Sequence, residues 1–304
     1  MNNSLLILFL YHFLCATTFA APSKHWDRDQ TKRYAHNSDL QLRSNWQFLS
    51  GFLSMFKGNE KILDIGSGDG KMSSFLAGLV KKGEVIGLEP NNHMRAWANK
   101  QYCQEEYPNL SFKEGSYSTI NEEEVYKFAT AFFSFHTLEL SKRDAALSSI
   151  YKALKPSGRL IMTIAPGPNS NPMFAKAISR AQLHERWKLY FRNRQANLKF
   201  ESIDEIRDRL ERSPFEESSV SFKKSKDPFV DKIEFAEWIL GTMEFIQEVP
   251  SEHRLELANY IIDQYVELKP DAKANGVYFG AWGRIEVVAK KLYSSKVNSS
   301  IFGS

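Results

Sequence analysis

The sequence predicts an α/β fold, a doubly wound and mostly parallel sheet. Three observations point there. Between residues 61 and 165, short apolar runs alternate with helix-patterned runs, the rhythm that covers both faces of a parallel sheet with helices. The first run, "KILDI" (61–65), ends in "GSGDG" (66–70), a glycine turn at the strand end where such sheets take ligands. The late run "GVYFGAWGRIEVVAK" (276–290) alternates as one long strand, suited to an antiparallel edge.

The elements follow in order. "EVIGL" (84–88) and "LSFKE" (110–114) read as the second and third strands, with helices over 70–81 and 91–105. "FATAFFSF" (128–135) is apolar nearly throughout, as a strand covered on both faces should be. A helix over 142–154 stops at "KPSG" (155–158), because Pro156 and Gly158 suit a turn. "RLIMTIA" (159–165) is the fifth strand, and "SSVSFKK" (218–224) pairs with 276–290 to complete seven. Between them, 166–213 is polar, aromatic and helix-like, and reads as a lid insertion. Helices follow at 231–243, opened by an Asp231…Glu234 capping pattern, and at 251–266. Residues 22–60 form an N-terminal helical cap, 61–292 the main domain and 293–304 a frayed tail.

Composition narrows the classes. The 304 residues are 42% hydrophobic and 25% charged, which describes a globular chain rather than a disordered one. A net charge of +4 without a basic block gives no footprint for nucleic acid. Two cysteines, Cys15 and Cys103, exclude a disulfide framework and show no metal spacing. Residues 5–19 are apolar and precede "AAP" (20–22). They are shorter than the roughly 20 residues a membrane span needs. Residues 1–21 therefore read as a signal-like segment, although "MNNS" lacks a basic residue. A membrane-proximal anchor or an early start codon stays open.

The glycine turn selects its ligand. Gly66 and Gly68 fit the dinucleotide pattern G-x-G-x-x-G, but Lys71 stands in the third place. No G-K-[ST] phosphate loop exists. Asp64, inside the first strand, would repel a phosphate and suit a cation. Glu89 ends the second strand, 25 positions later, where an acid accepts hydrogen bonds from ribose hydroxyls. A ligand with a ribose, an ammonium and no phosphate is S-adenosylmethionine.

"LDIGSGDGK", "VIGLEPNNHMRAWA", "NLSF", "SFHTLEL" and "LKPSGRLIM" resemble the class I S-adenosylmethionine-dependent methyltransferases, with their Rossmann-like sheet. More narrowly they resemble the trans-aconitate and juvenile-hormone-acid methyltransferase group. The resemblance covers 34–290 and includes "YAHNSDLQ" (34–41) and "RWKLYF" (186–191). It implies that Gly66, Ser67 and Gly68 pass their backbone along the methionine part of the cofactor, and that Asp64 holds its ammonium. Glu89 would bind the ribose, Pro90 and Met94 would wall the adenine, and Ser116 and Tyr117 would lie at its edge. Ser134 and Phe135 would sit beneath the sulfonium, with Tyr34 and Gln41 closing over the cofactor. Two departures matter. Ser116 stands where the family often has an Asp, and Leu138–Glu139–Leu140 replaces its leucine–histidine–tryptophan.

The expected activity is methyl transfer to a small-molecule acceptor, on a carboxylate or hydroxyl oxygen. A hydroxyl needs a base, for which His136 and Glu139 are the candidates. Trp187 and Tyr190 would wall the acceptor, and the arginines of "RWKLYFRNR" (186–194) would orient an anion. A protein or RNA methyltransferase, or a degenerate cofactor-binding protein, are the alternatives. Oligomeric state is open. Localisation is too, since the signal-like start suggests export while the cofactor's supply favours the cytoplasm.

Overall fold

A computed structural model describes residues 26–167, 170–192 and 200–292. The expectations for 1–21, 293–304 and Arg194 lie outside these.

The alternating half keeps the expected order of strands and helices, but residues 155–158, expected as a turn, lie inside the fifth strand, next to a shift in its pairing register. β1 (Lys61–Ile65), β2 (Glu84–Leu88), β3 (Leu110–Lys113), β4 (Tyr126–Phe132) and β5 (Leu154–Ile164) are joined by α3 (Lys71–Leu79), α4 (Asn92–Gln101) and α5 (Leu140–Ala153). α1 (Arg28–Asn37) and α2 (Asp39–Leu49) precede them. All five strands pair in parallel, in the order β3-β2-β1-β4-β5. Strand order reverses beside β1, so a crevice opens there at the carboxyl ends. β4 is buried along almost its whole length. One face is covered by α2, α3 and α4 through Leu49, Leu76 and Ala98. The other is covered by α5 through Leu147 and Ile150.

The remaining elements are α6 (Pro172–Leu183), α7 (Ile203–Glu211), β6 (Glu217–Phe229), α8 (Lys232–Thr242), α9 (Ser251–Leu268), β7 (Lys273–Ala274) and β8 (Val277–Lys290). β8 runs antiparallel between β5 and β6. The sheet has eight strands among the described residues, not seven, because the two-residue β7 also pairs with β8. β6 is longer than the expected 218–224. It pairs with β8 from Glu217↔Lys290 to Phe229↔Tyr278, while β5 pairs only from Arg159↔Lys290 to Ile164↔Ile285. Pro228 is tolerated because an edge strand need not donate on its outer side. This overhanging ribbon reaches past the sheet and carries Trp282 with it.

The segment 166–213 is not a single lid. Phe174 and Ile178 of α6 pack with Phe235, Trp238 and Ile261 of α8 and α9 in a separate helical core. Ile206 and Leu210 of α7 pack instead on the sheet. The two helices have apolar faces that meet different layers, and that division decides their places. Asp231 caps α8 by accepting from the Glu234 amide at 2.8 Å. No helix among the described residues is long and apolar enough to cross a membrane.

Candidate functional site

The glycine turn hangs from the end of β2. The amides of Gly66 and Ser67 both donate to the Leu88 carbonyl, at 2.8 and 3.0 Å. Gly66 has φ +72°, and a Cβ there would lie 2.4 Å from the Ser134 Cβ. Glycine is required by this close approach of β1 to the segment after β4. Gly68 has φ +56° but nothing within 4 Å of a built Cβ, so its missing side chain leaves open space above the turn.

That space is a cleft. Its floor is Asp64, Gly66, Ser67, Gly68 and Asp69, and its roof is Tyr34, Ser38, Gln41 and Asn45 from α1, α2 and the joint between them. Of the residues expected to hold cofactor, Tyr34, Gln41, Asp64, Gly66, Ser67 and Gly68 line it together. Glu89 joins from below. Its carboxylate accepts from the Gly68 amide and from the Asn91 amide, each at 2.9 Å. Burial pushes the Glu89 carboxyl up to about 7, against those two donors and Arg95. Asp64 is tied by the hydroxyls of Ser73 and Thr130, at 2.6 and 2.7 Å. Burial raises its carboxyl as well. Burial, then the charges of Asp69 and Glu89, push the Tyr34 phenol far up, so it stays protonated.

The cleft passes a direct test for a cationic, ribose-bearing ligand. Gln41 Oε1 and Ser67 Oγ are buried there without a hydrogen-bond partner among the described residues. Buried polar atoms of this kind ask for a ligand or water. Added to the carboxyls of Asp64, Asp69 and Glu89, they present acceptors to an ammonium and hydroxyls, and repel phosphate.

The other expected cofactor residues stand back from the cleft. Pro90 is exposed and Met94 fully buried. Ser116 caps the turn Tyr117–Thr119. Ser134 Oγ donates to the Ile65 carbonyl at 2.6 Å and accepts from Tyr117 Oη at 2.7 Å. Phe135 is buried against the Tyr117 ring, at 5.8 Å. The wall position belongs to Phe133, one residue earlier than the expected pair. Phe133 has φ +49°, a strained state for a bulky residue. Its amide is held by the Thr163 carbonyl and hydroxyl, at 3.0 and 3.2 Å.

A second pocket adjoins the first and shares Tyr34, Gln41 and Phe133 with it. The rest of its wall is Leu40, Ser44, Ala165, Ser225, Trp238, Thr242, Trp282 and Gly283. The rings of Trp238 and Trp282 lie 4.5 Å apart. No charged residue lines this pocket among those described.

Five expectations need correction here. Trp187 is buried in the helical core, 5.0 Å from the His184 ring and 5.0 Å from the Tyr260 ring, and lines neither cavity. Tyr190 is exposed. Glu139 sits in solvent before α5 and pairs with Lys142 at 2.7 Å. His136 is buried behind the wall, stacked on Phe200 at 5.9 Å. Arg180 and Arg186 pair with Glu267 and Glu256 on α9 rather than facing a pocket. The residues that reasoning from sequence missed are Asp69, Phe133, Trp238, Thr242 and Trp282. Of these only Asp69, inside the glycine turn, carried a local signal.

Residues 62–158 match the family described as "Methyltransferase domain". A putative methyltransferase, 235L of Invertebrate iridescent virus 6, is 24% identical over 261 residues, covering 85% of this chain and 91% of the viral one. Among solved structures, YcgJ of Bacillus subtilis is similar with a TM-score of 0.54 and 16% identity, over 81% of this chain and 99% of its own. Phosphoethanolamine N-methyltransferase 2 of Haemonchus contortus is similar with a TM-score of 0.51 and 18% identity; 83% of this chain matches 53% of that one. The domain match and the viral relative support an S-adenosylmethionine-dependent methyltransferase, and the solved structures share its fold.

Proposed function

We infer that the protein methylates a small, apolar-bodied acceptor on an acidic oxygen, a carboxylate before a hydroxyl. The observation that carries this reading is the shared wall. Tyr34, Gln41 and Phe133 separate a polar cleft from an aromatic pocket that, among the described residues, holds neither a charge nor a base.

Each part of the wall has a role in this reading. Glu89 accepts from the ribose, Asp64 and Asp69 give the cleft its negative charge, and Gln41 Oε1 with Ser67 Oγ take the remaining donors. S-adenosylmethionine supplies the electrophilic methyl and a positive charge at the pocket mouth. Leu40, Phe133, Trp238 and Trp282 exclude water and hold the apolar body, which is alignment rather than acid–base work. Ser44 Oγ accepts from the Arg284 guanidinium at 3.0 Å and keeps its own proton to donate to the acceptor. Thr242 Oγ1 donates to the Trp238 carbonyl at 2.7 Å, so it can only accept. With no base among the described residues of the wall, an oxygen already ionised at neutral pH is the natural nucleophile. This keeps the likeness to the trans-aconitate and juvenile-hormone-acid group in play, and it moves the recognition from lid arginines to the aromatic pocket. The Haemonchus neighbour is described in complex with phosphomonomethylethanolamine and S-adenosylhomocysteine, which supports a small acceptor beside the cofactor.

The test is transfer of labelled methyl from the cofactor into cell extract, followed by fractionation. Label in an organic-soluble, base-labile ester supports the proposal. Label confined to protein or RNA replaces it with a macromolecular acceptor.

A further inference from the structure

Lys71 stands where the dinucleotide pattern has its third glycine, and cofactor chemistry does not account for it. Its Nζ donates to Asp39 Oδ1 at 2.7 Å and to Ser38 Oγ at 3.0 Å, and lies 3.9 Å from Asp69 Oδ2. Ser38 Oγ in turn donates to Asp69 Oδ2 at 2.7 Å, and the Lys71 amide donates to Asp69 Oδ1 at 3.3 Å. Ser38 is the single residue between α1 and α2. Tyr34 lies one turn before it and Gln41 three residues after, so whatever fixes Ser38 fixes the two shared-wall residues that α1 and α2 supply.

We propose that Lys71 and Asp69 are positioning residues that clamp the α1–α2 joint onto the glycine turn, holding Tyr34 and Gln41 over the cleft and setting how fast cofactor product leaves. The proposal rests on the reading of the cleft as the cofactor site. The roof and the floor of that cleft meet at this clamp, so ligand exchange must part it. Asp69 is buried at 7% exposure. Its carboxylate needs the lysine and the serine hydroxyl to offset lost hydration. The Asp39 side chain is 65% exposed, so its pairing with Lys71 is weakened by salt.

The experiment is stopped-flow dissociation of S-adenosylhomocysteine from the full chain, comparing wild type with Lys71→Met and with Asp39→Asn, an exposed change that the fold tolerates. Dissociation should be about two- to fivefold faster in both variants, the range of a partly exposed ion pair. Raising salt from about 0.05 M to about 0.5 M should speed the wild type but not Lys71→Met. A merely structural lysine would lower the melting temperature without removing that salt response. Equal rates and equal salt responses in all three proteins overturn the clamp. Gly68→Asn separates the two readings. If it binds S-adenosylhomocysteine like wild type, the cleft assignment falls and the clamp with it. If it loses binding while Lys71→Met exchanges like wild type, the cleft stands and the clamp falls.

Discussion

Gly68 and Glu89 meet under the cleft: the Gly68 amide donates to Glu89 Oε2 at 2.9 Å. The contact joins the ends of β1 and β2, where strand order reverses. It leaves the carboxylate under the space that Gly68 keeps clear. Replacing Glu89 with Ala should weaken cofactor binding by about 1–3 kcal/mol, the cost of stranding hydrogen-bonded polar groups. Titration calorimetry on the folded variant measures this, and unchanged affinity would remove Glu89 from the ribose role.

The same carboxyl gives a pH dependence. Its folded value of about 7 lies above the ordinary 4.5. The folded protein therefore binds the extra proton in that window, and this group's stabilising contribution is full below about 4.5 and lost as pH rises through about 7. Cofactor binding runs the other way. Ribose hydroxyls donate to the ionised carboxylate and lower its pKa. Binding should release a proton below about pH 7 and tighten as pH rises to that value. Calorimetry in buffers of different ionisation heat counts the proton. Asp64 and Asp69 are also shifted upward by burial, so Glu89→Gln is the control; loss of the Glu89 share is the expected result.

Gly66 answers to packing. A methyl at Gly66 would press on Ser134 Cβ at 2.4 Å, at φ +72°. Gly66→Ala should destabilise the fold by about 1–3 kcal/mol through strain and crowding. A melt unchanged from wild type would mean that β1 and the Ser134 segment are not so close.

The two tryptophans of interest should part company. Trp187→Ala removes a ring from the helical core and should cost about 3–5 kcal/mol of stability, with cofactor affinity kept in the protein that remains folded. Trp282→Phe keeps an aromatic core residue but reshapes the pocket wall, so it should raise the acceptor's KM and leave cofactor affinity alone. Steady-state kinetics with the labelled acceptor decides between these outcomes.

Glu139→Ala should change turnover and stability little, within about 0.5 kcal/mol, as for other surface substitutions. A large loss of turnover would restore it as a base.

The cleft was legible in the sequence because it is written in consecutive residues. "GSGDG", Asp64 and Glu89 lie at strand ends that apolar runs already mark, and Tyr34 and Gln41 came through a motif likeness. The aromatic pocket was not legible. Trp238 and Trp282 come from a helix and a ribbon that meet only after the sheet has closed, and no local pattern tells a pocket tryptophan from the core tryptophan Trp187. Phe133 escaped because its strained backbone is imposed by Thr163 on the neighbouring strand. The lid reading failed because α6 and α7 look alike along the chain and differ only in the layer each one meets.

The account turns on where the cofactor sits, and one substitution tests that most directly. Asparagine tolerates the left-handed backbone at Gly68, and a Cβ there would meet nothing within 4 Å, so its amide would extend into the cleft. Calorimetric titration of Gly68→Asn with S-adenosylmethionine, on protein that melts like wild type, should show affinity lowered at least about tenfold, or about 1.4 kcal/mol. Wild-type affinity in that variant would contradict the assignment of the cleft.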